Sequence, residues 1–284
     1  MKIKTPAKIT PYLQVLSPRN DGFHEVNIAL APVSIFDELE LRPAVRAGIG
    51  LEVTGSDAKG APRENLVYRA ALAFQDASGM ELALELRLHK NIPSGAGLGG
   101  GSGNAAGTLL ALNALHGNAL DEEQLAELAL DLGSDVPFFM RPTPSLARGR
   151  GEQLAALPEF PELALLVVKP PFEISTAQAY GMLKDPAADP VTPPMGSLDE
   201  VLSALENQFE QPLGTAYPEL AEIKFRLLGA GAAGALLSGS GSALFGVFAD
   251  AARRDSAADL LRGASDLTLF PCRTLRNHAY LPGS

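Results

Sequence analysis

Polar and apolar positions alternate over residues 1–16, with Ile9, Leu13 and Val15 on one face and Lys8, Thr10, Tyr12 and Gln14 on the other. The period of two predicts a β-strand. Pro11 has no N–H to give a ladder, so it marks either an edge position or a bulge. A second alternation, Leu82, Leu84, Leu86 and Leu88, predicts another strand over 80–90. That strand runs into Ile92-Pro93-Ser94-Gly95-Ala96-Gly97-Leu98-Gly99-Gly100-Gly101-Ser102-Gly103-Asn104. Ala105, Ala106, Leu109, Leu110, Leu112 and Leu115 then recur at helical spacing with no proline among them. The order is strand, glycine loop, helix. Asp121, with Gln124 three positions on, predicts the N-cap of a second helix through Leu125, Leu128 and Leu132.

The pattern restarts beyond Glu152. Leu163-Ala164-Leu165-Leu166-Val167-Val168 is the continuous apolar run of a buried strand, and a proline-rich loop follows over 184–196. Ser197 and Glu200 have capping-box spacing ahead of a further helix. Residues 217–228 predict a helix, and 234–248 two strands joined by Ser238-Gly239-Ser240-Gly241-Ser242. Strands and helices mix in both halves and no internal repeat is visible. The reading is an α+β protein of two domains, 1–155 and 156–284. A chain of 284 residues can bury a core in each.

Hydrophobic residues make up 46% of the chain and charged residues 20%, a globular balance. No window approaches the ~18 uninterrupted apolar residues of a membrane span. The stretch Met1-Lys2-Ile3-Lys4-Thr5-Pro6 lacks the apolar core of a secretory signal, so the expectation is a cytoplasmic protein with no membrane partner. Cys272 has no second cysteine to pair with, and the four histidines are scattered without metal-ligand spacing. A net charge of −10 argues against nucleic acid as a partner. It leaves room for a small anion, because a helix N-terminus can hold phosphate on an acidic protein.

The glycine loop fits such a ligand. Six glycines fall between Gly95 and Gly103, with a seventh, Gly107, expected alone inside the helix. Bare backbone can bring its N–H groups close to an anion, and the helix that follows adds the positive end of its dipole. A tight connection needs fewer glycines than this. The Walker A pattern is excluded because the loop contains no lysine. Gly95-Ala96-Gly97-Leu98-Gly99-Gly100 satisfies the dinucleotide spacing, yet a helix at Asp121 takes the place of the second parallel strand and its acid. Protein-kinase signatures are missing as well.

The run from Pro93 to Ala106 resembles the ATP-binding motif of the GHMP kinases, which phosphorylate small metabolites. Further segments resemble one branch of that family in order and spacing: Pro6-Ala7-Lys8-Ile9, Asp21-Gly22-Phe23-His24-Glu25, Gly133-Ser134-Asp135-Val136-Pro137-Phe138-Phe139, Ala147-Arg148-Gly149-Arg150-Gly151-Glu152 and Ser238–Ser242. The resemblance implies an N-terminal domain like the second domain of ribosomal protein S5 and a C-terminal ferredoxin-like domain. It implies ATP and Mg²⁺ as cofactors, and a substrate carrying a cytidine diphosphate group. The implied reaction is phosphorylation of the 2-hydroxyl of a cytidylylated methylerythritol in the non-mevalonate isoprenoid route. Another small-molecule alcohol, or a ligand sensor without catalysis, are the competing readings.

By the same resemblance Lys8 and Asp135 are the catalytic pair; from the residues alone they also read as a solvated strand lysine and a turn residue ahead of Pro137. Lys90 and the loop residues Pro93, Ser94, Gly95, Ala96, Gly97, Leu98, Gly99, Gly100, Gly101, Ser102, Gly103 and Asn104 are implied to bind ATP. Phe23, His24 and Tyr180 are implied to hold the cytosine, and Asn65 lies in a matching Asn-Leu-Val segment. Gly239 and Ser240, in the second glycine-serine turn, are expected to face the loop and help hold the substrate. The chain departs from the family at Thr10 and Pro11, where Asn and an aliphatic residue are usual, and at Phe23, where Tyr is. Thr10 keeps a hydroxyl for the substrate. The residues that hold the metal are not assigned, although the Ser102 hydroxyl is a candidate. Oligomeric state leaves no mark on the sequence.

Overall fold

The chain opens on a long antiparallel hairpin, β1 (Lys2–Pro18) and β2 (His24–Pro43), and continues through β3 (Gly48–Gly55), α1 (Leu66–Ser78) and β4 (Ala83–Lys90). Three helices follow, α2 (Gly100–Leu115), α3 (Glu122–Leu132) and α4 (Val136–Met140), then the hairpin β5 (Ser145–Arg148) and β6 (Gln153–Ala156). The second half runs β7 (Ala164–Lys169), α5 (Thr176–Gly181), α6 (Leu198–Ala204), β8 (Glu206–Asn207), α7 (Glu210–Ala216) and α8 (Pro218–Gly229). It ends with β9 (Gly234–Leu237), β10 (Leu244–Phe248), α9 (Ala251–Arg262) and β11 (Thr268–Arg273). These coordinates come from a computed structural model that describes residues 1–55, 61–183, 189–263 and 266–280. Of the expected loop over 184–196, residues 184–188 lie outside the described residues.

The first sheet has the order β3-β4-β2-β1-β8, with β5 also paired to β2; the second has the order β11-β7-β10-β9. Helices α1 to α4 bury one face of the first sheet: Leu84, Leu86 and Leu88 of β4 join Phe74, Leu109, Leu112 and Phe138 in one core. A second core lies between the sheets. Ile9, Ala31 and Val33 meet Leu165, Val167, Phe245 and Val247 there, with Ala96 and Leu98 of the glycine loop among them. The outer face of the second sheet buries Leu166, Val168 and Leu244 against α8 and α9. Both faces of β7 are thus covered, which is why its sequence is apolar without alternation.

The faces of β1 differ from the expected alternation. Ile9 pairs with Ala31 and Tyr12 with Ala29, so Thr10 and Pro11 together oppose Leu30. One inserted residue turns every later side chain to the other face. Ile9 and Tyr12 therefore share the inter-sheet core, while Leu13 and Val15 join the helix-side core. Pro11 marks a bulge inside the sheet, because Tyr12 and Leu13 also pair with β8.

Two other expectations are corrected. Helix α2 begins at Gly100, so Gly101, Ser102, Gly103 and Asn104 belong to its first turns and Gly107 is not the only helical glycine. Those glycines let α2 lie close on β1: a Cβ at Gly103 would stand 2.9 Å from the Pro6 carbonyl oxygen. Ser197 does cap α6 by accepting from the Glu200 N–H, but the Glu200 carboxylate accepts from Gly196 N–H, so the box closes on one side only. The box at Asp121 and Gln124 is complete.

Candidate active site

A cavity of 910 Å³ opens between β1, the glycine loop, the N-terminus of α4, α5 and the second glycine-serine turn. The bulge in β1 aims Lys8, Thr10 and Leu13 into it together. Asp135 precedes α4, whose first turn contains Pro137 and is anchored by the buried rings of Phe138 and Phe139. A residue in that position ordinarily spends its side chain on capping. Asp135 makes no capping bond, and its carboxylate is left for the cavity. Lys8 Nζ lies 3.6 Å from Asp135 Oδ2, the lysine side chain being 7% exposed and the aspartate 35%. Lys8 Nζ also donates to Thr10 Oγ1 at 3.1 Å, and the Lys8 backbone N–H donates to Leu98 O at 2.9 Å.

The glycine loop is stitched to the second turn. Ser242 and Ala243 donate their backbone N–H groups to Gly95 O and Ala96 O, at 3.2 and 3.1 Å, and the Ser238 hydroxyl donates to Gly97 O at 3.1 Å. Gly97 has φ +73°, and a Cβ there would lie 1.9 Å from Ser238 O. No other residue fits. Asn207 of β8 holds the second turn from beneath by donating to Leu237 O and Gly239 O, both at 2.8 Å.

At the far end of the cavity the His24 and Tyr180 rings are 5.1 Å apart, and Tyr180 meets Phe209 edge-on at 4.9 Å. Burial, and secondarily the charge of Asp135, push the Tyr180 phenol up to about 12. It remains neutral at working pH. Phe23 is 46% exposed, and the Arg150 guanidinium covers one face of its ring at 3.6 Å. Glu25 ties the two loops that carry them by accepting from Gly149 N–H at 2.9 Å and Arg19 at 2.7 Å.

Among the residues singled out in the sequence, Lys8, Thr10, Phe23, His24, Asn65, Lys90, the run Pro93–Ser102, Asn104, Asp135, Tyr180, Gly239 and Ser240 all border this cavity. Gly103 does not; it faces Pro6. The Asn65 side chain caps α1 by accepting from Val67 N–H at 3.0 Å. Lys90 and Asn104 both turn toward Asp37, at 2.6 and 2.8 Å. Asp37, Arg150 and Asn207 were given no role by the sequence, since each acts on partners far along the chain.

The family descriptions "GHMP kinases N terminal domain" and "GHMP kinases C terminal" match residues 65–142 and 193–264. A 4-diphosphocytidyl-2-C-methyl-D-erythritol kinase of Pelotomaculum thermopropionicum is 44% identical over 86% of this chain and 88% of its own length. The chain belongs to this branch of the GHMP kinases. Its relative of the same name from Geobacter sp. strain M21 is 41% identical over 92% of this chain and 94% of that protein. A crystal structure of 4-(cytidine 5'-diphospho)-2C-methyl-D-erythritol kinase superposes with a TM-score of 0.83 at 35% identity, covering 97% of this chain and all of the other. The mevalonate kinase of L. major shares the GHMP kinase fold with a TM-score of 0.72 at 16% identity, covering 98% of this chain and 97% of the other.

Proposed function

We propose that this chain is an ATP-dependent kinase that phosphorylates the 2-hydroxyl of 4-diphosphocytidyl-2-C-methyl-D-erythritol in the non-mevalonate isoprenoid route. The observation that carries the reading is the Lys8–Asp135 pair, which stands between a backbone cradle at one end of the cavity and an aromatic cluster at the other. Relatives that carry this substrate in their names cover nearly the whole chain.

ATP's phosphates lie along the glycine loop, where the N-terminus of α2 offers backbone N–H groups to them. The cytosine lies by His24, Tyr180 and Phe23, where ring stacking and one edge-reading nitrogen are available. Asp135 Oδ2 takes the proton of the 2-hydroxyl as its oxygen forms a bond to the γ-phosphorus. The bond from that phosphorus to the β,γ-bridging oxygen breaks, and ADP leaves with the electron pair. Lys8, beside Asp135, offsets negative charge on the transferring group.

Mg²⁺ bound to ATP neutralises phosphate charge, and such an ion takes most of its oxygens from phosphates and water with one or two from protein. The residues present fit that demand, since the Ser102 hydroxyl borders the cavity from the first turn of α2. Ser102 would hold it. No group of three His, Cys, Asp or Glu side chains among the described residues forms a separate metal cage. No helix among them is long and apolar enough to cross a membrane, and we place the reaction in the cytoplasm, where its nucleotide substrates are.

The test is ADP release with ATP, Mg²⁺ and a panel of alcohols. Turnover with the cytidylylated methylerythritol alone supports the reading. Turnover with homoserine or mevalonate instead overturns the substrate, and tight binding without turnover makes the chain a sensor.

A further inference from the structure

The segment 93–103, which is the glycine loop and the first turn of α2, is the least self-supporting part of the site: its six glycines give it more backbone freedom to lose than any other stretch of its length. Something has to hold its two ends. Asp37, in the middle of β2, has no exposed surface. Its Oδ1 accepts the backbone N–H groups of Asn91 and Ile92, each at 2.7 Å. Its Oδ2 accepts Lys90 Nζ at 2.6 Å and Asn104 Nδ2 at 2.8 Å. A carboxylate has room for about four such bonds, so these four saturate it. Residues 90–92 lead into the segment, and Asn104 follows it in α2.

The cluster reaches further on the Asn104 side. Asn104 Oδ1 accepts the Thr5 hydroxyl, which fixes the first turns of α2 to β1 three residues before Lys8. A Cβ on Gly100 would be 3.5 Å from Lys90 Nζ, so the lysine lies against the start of α2, where the helix is already positive. A buried carboxylate offsets that accumulation of charge.

We propose that Asp37 is the positioning residue of the phosphate loop. It staples both ends of the segment 93–103 and holds Lys90 beside the start of α2, so that the loop's N–H groups are arranged before ATP arrives. The proposal rests on the reading of that loop as the ATP site. Lys90 and Asn104 then serve ATP through Asp37. Preorganisation of this kind changes the binding of the ligand that uses the loop and leaves the other ligand's site alone.

The test compares wild type with Asp37→Asn. The substitution keeps the shape and both Oδ1 bonds but turns an amide N–H₂ toward two donors, leaving the Lys90 charge without its carboxylate. The expected result is a rise of about tenfold or more in the Kd for ATP, read directly with a fluorescent ATP analogue, and in the KM for ATP. The KM for the cytidylylated alcohol should stay within about twofold, and kcat at saturating ATP should be retained. The double variant Asp37→Asn with Asn104→Asp returns a carboxylate to the cluster and should restore ATP affinity. A folded D37N with wild-type ATP affinity overturns the proposal, as does an equal loss for both substrates. If D37N does not fold, Asn104→Ala is read in its place: it cuts the staple at the α2 end only, and wild-type ATP affinity there also overturns the proposal. Wild type that binds no ATP would instead overturn the kinase reading itself.

Discussion

Lys8 Nζ stands 3.6 Å from Asp135 Oδ2, and the two reach each other from opposite sides of the cavity, one from a bulged strand and one from the start of a five-residue helix. Neither is a surface ion pair, because the lysine is nearly enclosed. Asp135→Asn keeps the shape and removes the proton acceptor. It should lower kcat by roughly 10²-fold or more while ATP binding, measured by titration, changes little. Full turnover in that variant would remove Asp135 from the chemistry.

Thr10 is 1% exposed, and its hydroxyl accepts one of the three ammonium protons of Lys8. The structure makes it a support for Lys8 as well as a neighbour of the substrate. Thr10→Val should cost about tenfold in kcat, the loss of a hydrogen bond to a charged group, and Thr10→Ser should restore most of it. Steady-state kinetics of the two variants side by side give the answer, and equal rates in both would dismiss the contact.

Tyr180 closes one end of the cavity between His24 and Phe209. Base-on-ring stacking contributes on the order of 1–3 kcal/mol, so Tyr180→Ala should raise the KM for the cytidylylated substrate by roughly tenfold and leave that for ATP unchanged. Tyr180→Phe keeps the ring and should be nearly silent. An unchanged KM in the alanine variant would place the base elsewhere.

Gly97→Ala tests the contact between the two glycine turns. Gly79 has a similar φ, +67°, with nothing within 4 Å of a Cβ, so Gly79→Ala should cost only about 1–2 kcal/mol of backbone strain. At Gly97 the added carbon overlaps the Ser238 carbonyl oxygen, and the loss of stability should be clearly larger, with ADP release abolished. Urea midpoints for the two variants measure the difference.

Four acids are held protonated by burial. Tyr12, Tyr180 and the Cys272 thiol are each pushed up to about 12, and Tyr280 is pushed up as well. Each group keeps its proton in the folded state at a pH where the unfolded chain has lost it. Their stabilising effect is therefore whole below about pH 8, where unfolded thiol and phenol groups are still protonated, and drains away as pH rises toward 12. Tm measured from pH 7 to 11 should be flat at first and fall steeply above about 9. A tyrosinate absorbance titration of the native protein should show Tyr12, Tyr180 and Tyr280 still protonated at pH 10, the ordinary phenol value.

Much of this was legible along the chain because it is local. The alternation from Leu82 to Leu88 continues to Lys90, which fixes the direction that lysine points. Asp121 and Gln124 close their box within four residues. The unread parts are those whose meaning lies in a distant partner. Asp37 sits in Phe36-Asp37-Glu38-Leu39-Glu40, a stretch indistinguishable from a solvated strand until Lys90, 53 residues later, is folded against it. The start of α2 is hidden in the sequence because glycine is a poor helix former, while close packing on Pro6 and Thr5 demands it there. The faces of β1 beyond Ile9 turn on a single inserted residue that no alternation reveals.

The pairing of β8 with Tyr12 and Leu13 has a consequence for how the enzyme is made. The strand bearing Lys8 leaves the ribosome well before its partner, so one of its flanks stays bare until Asn207 has been synthesised, and Val15 N–H waits for Gln208, 193 residues downstream. Asn207 in turn carries the second glycine turn into place. The Lys8 wall of the cavity is thus completed late, by a segment that must come back to a strand made some two hundred residues before it.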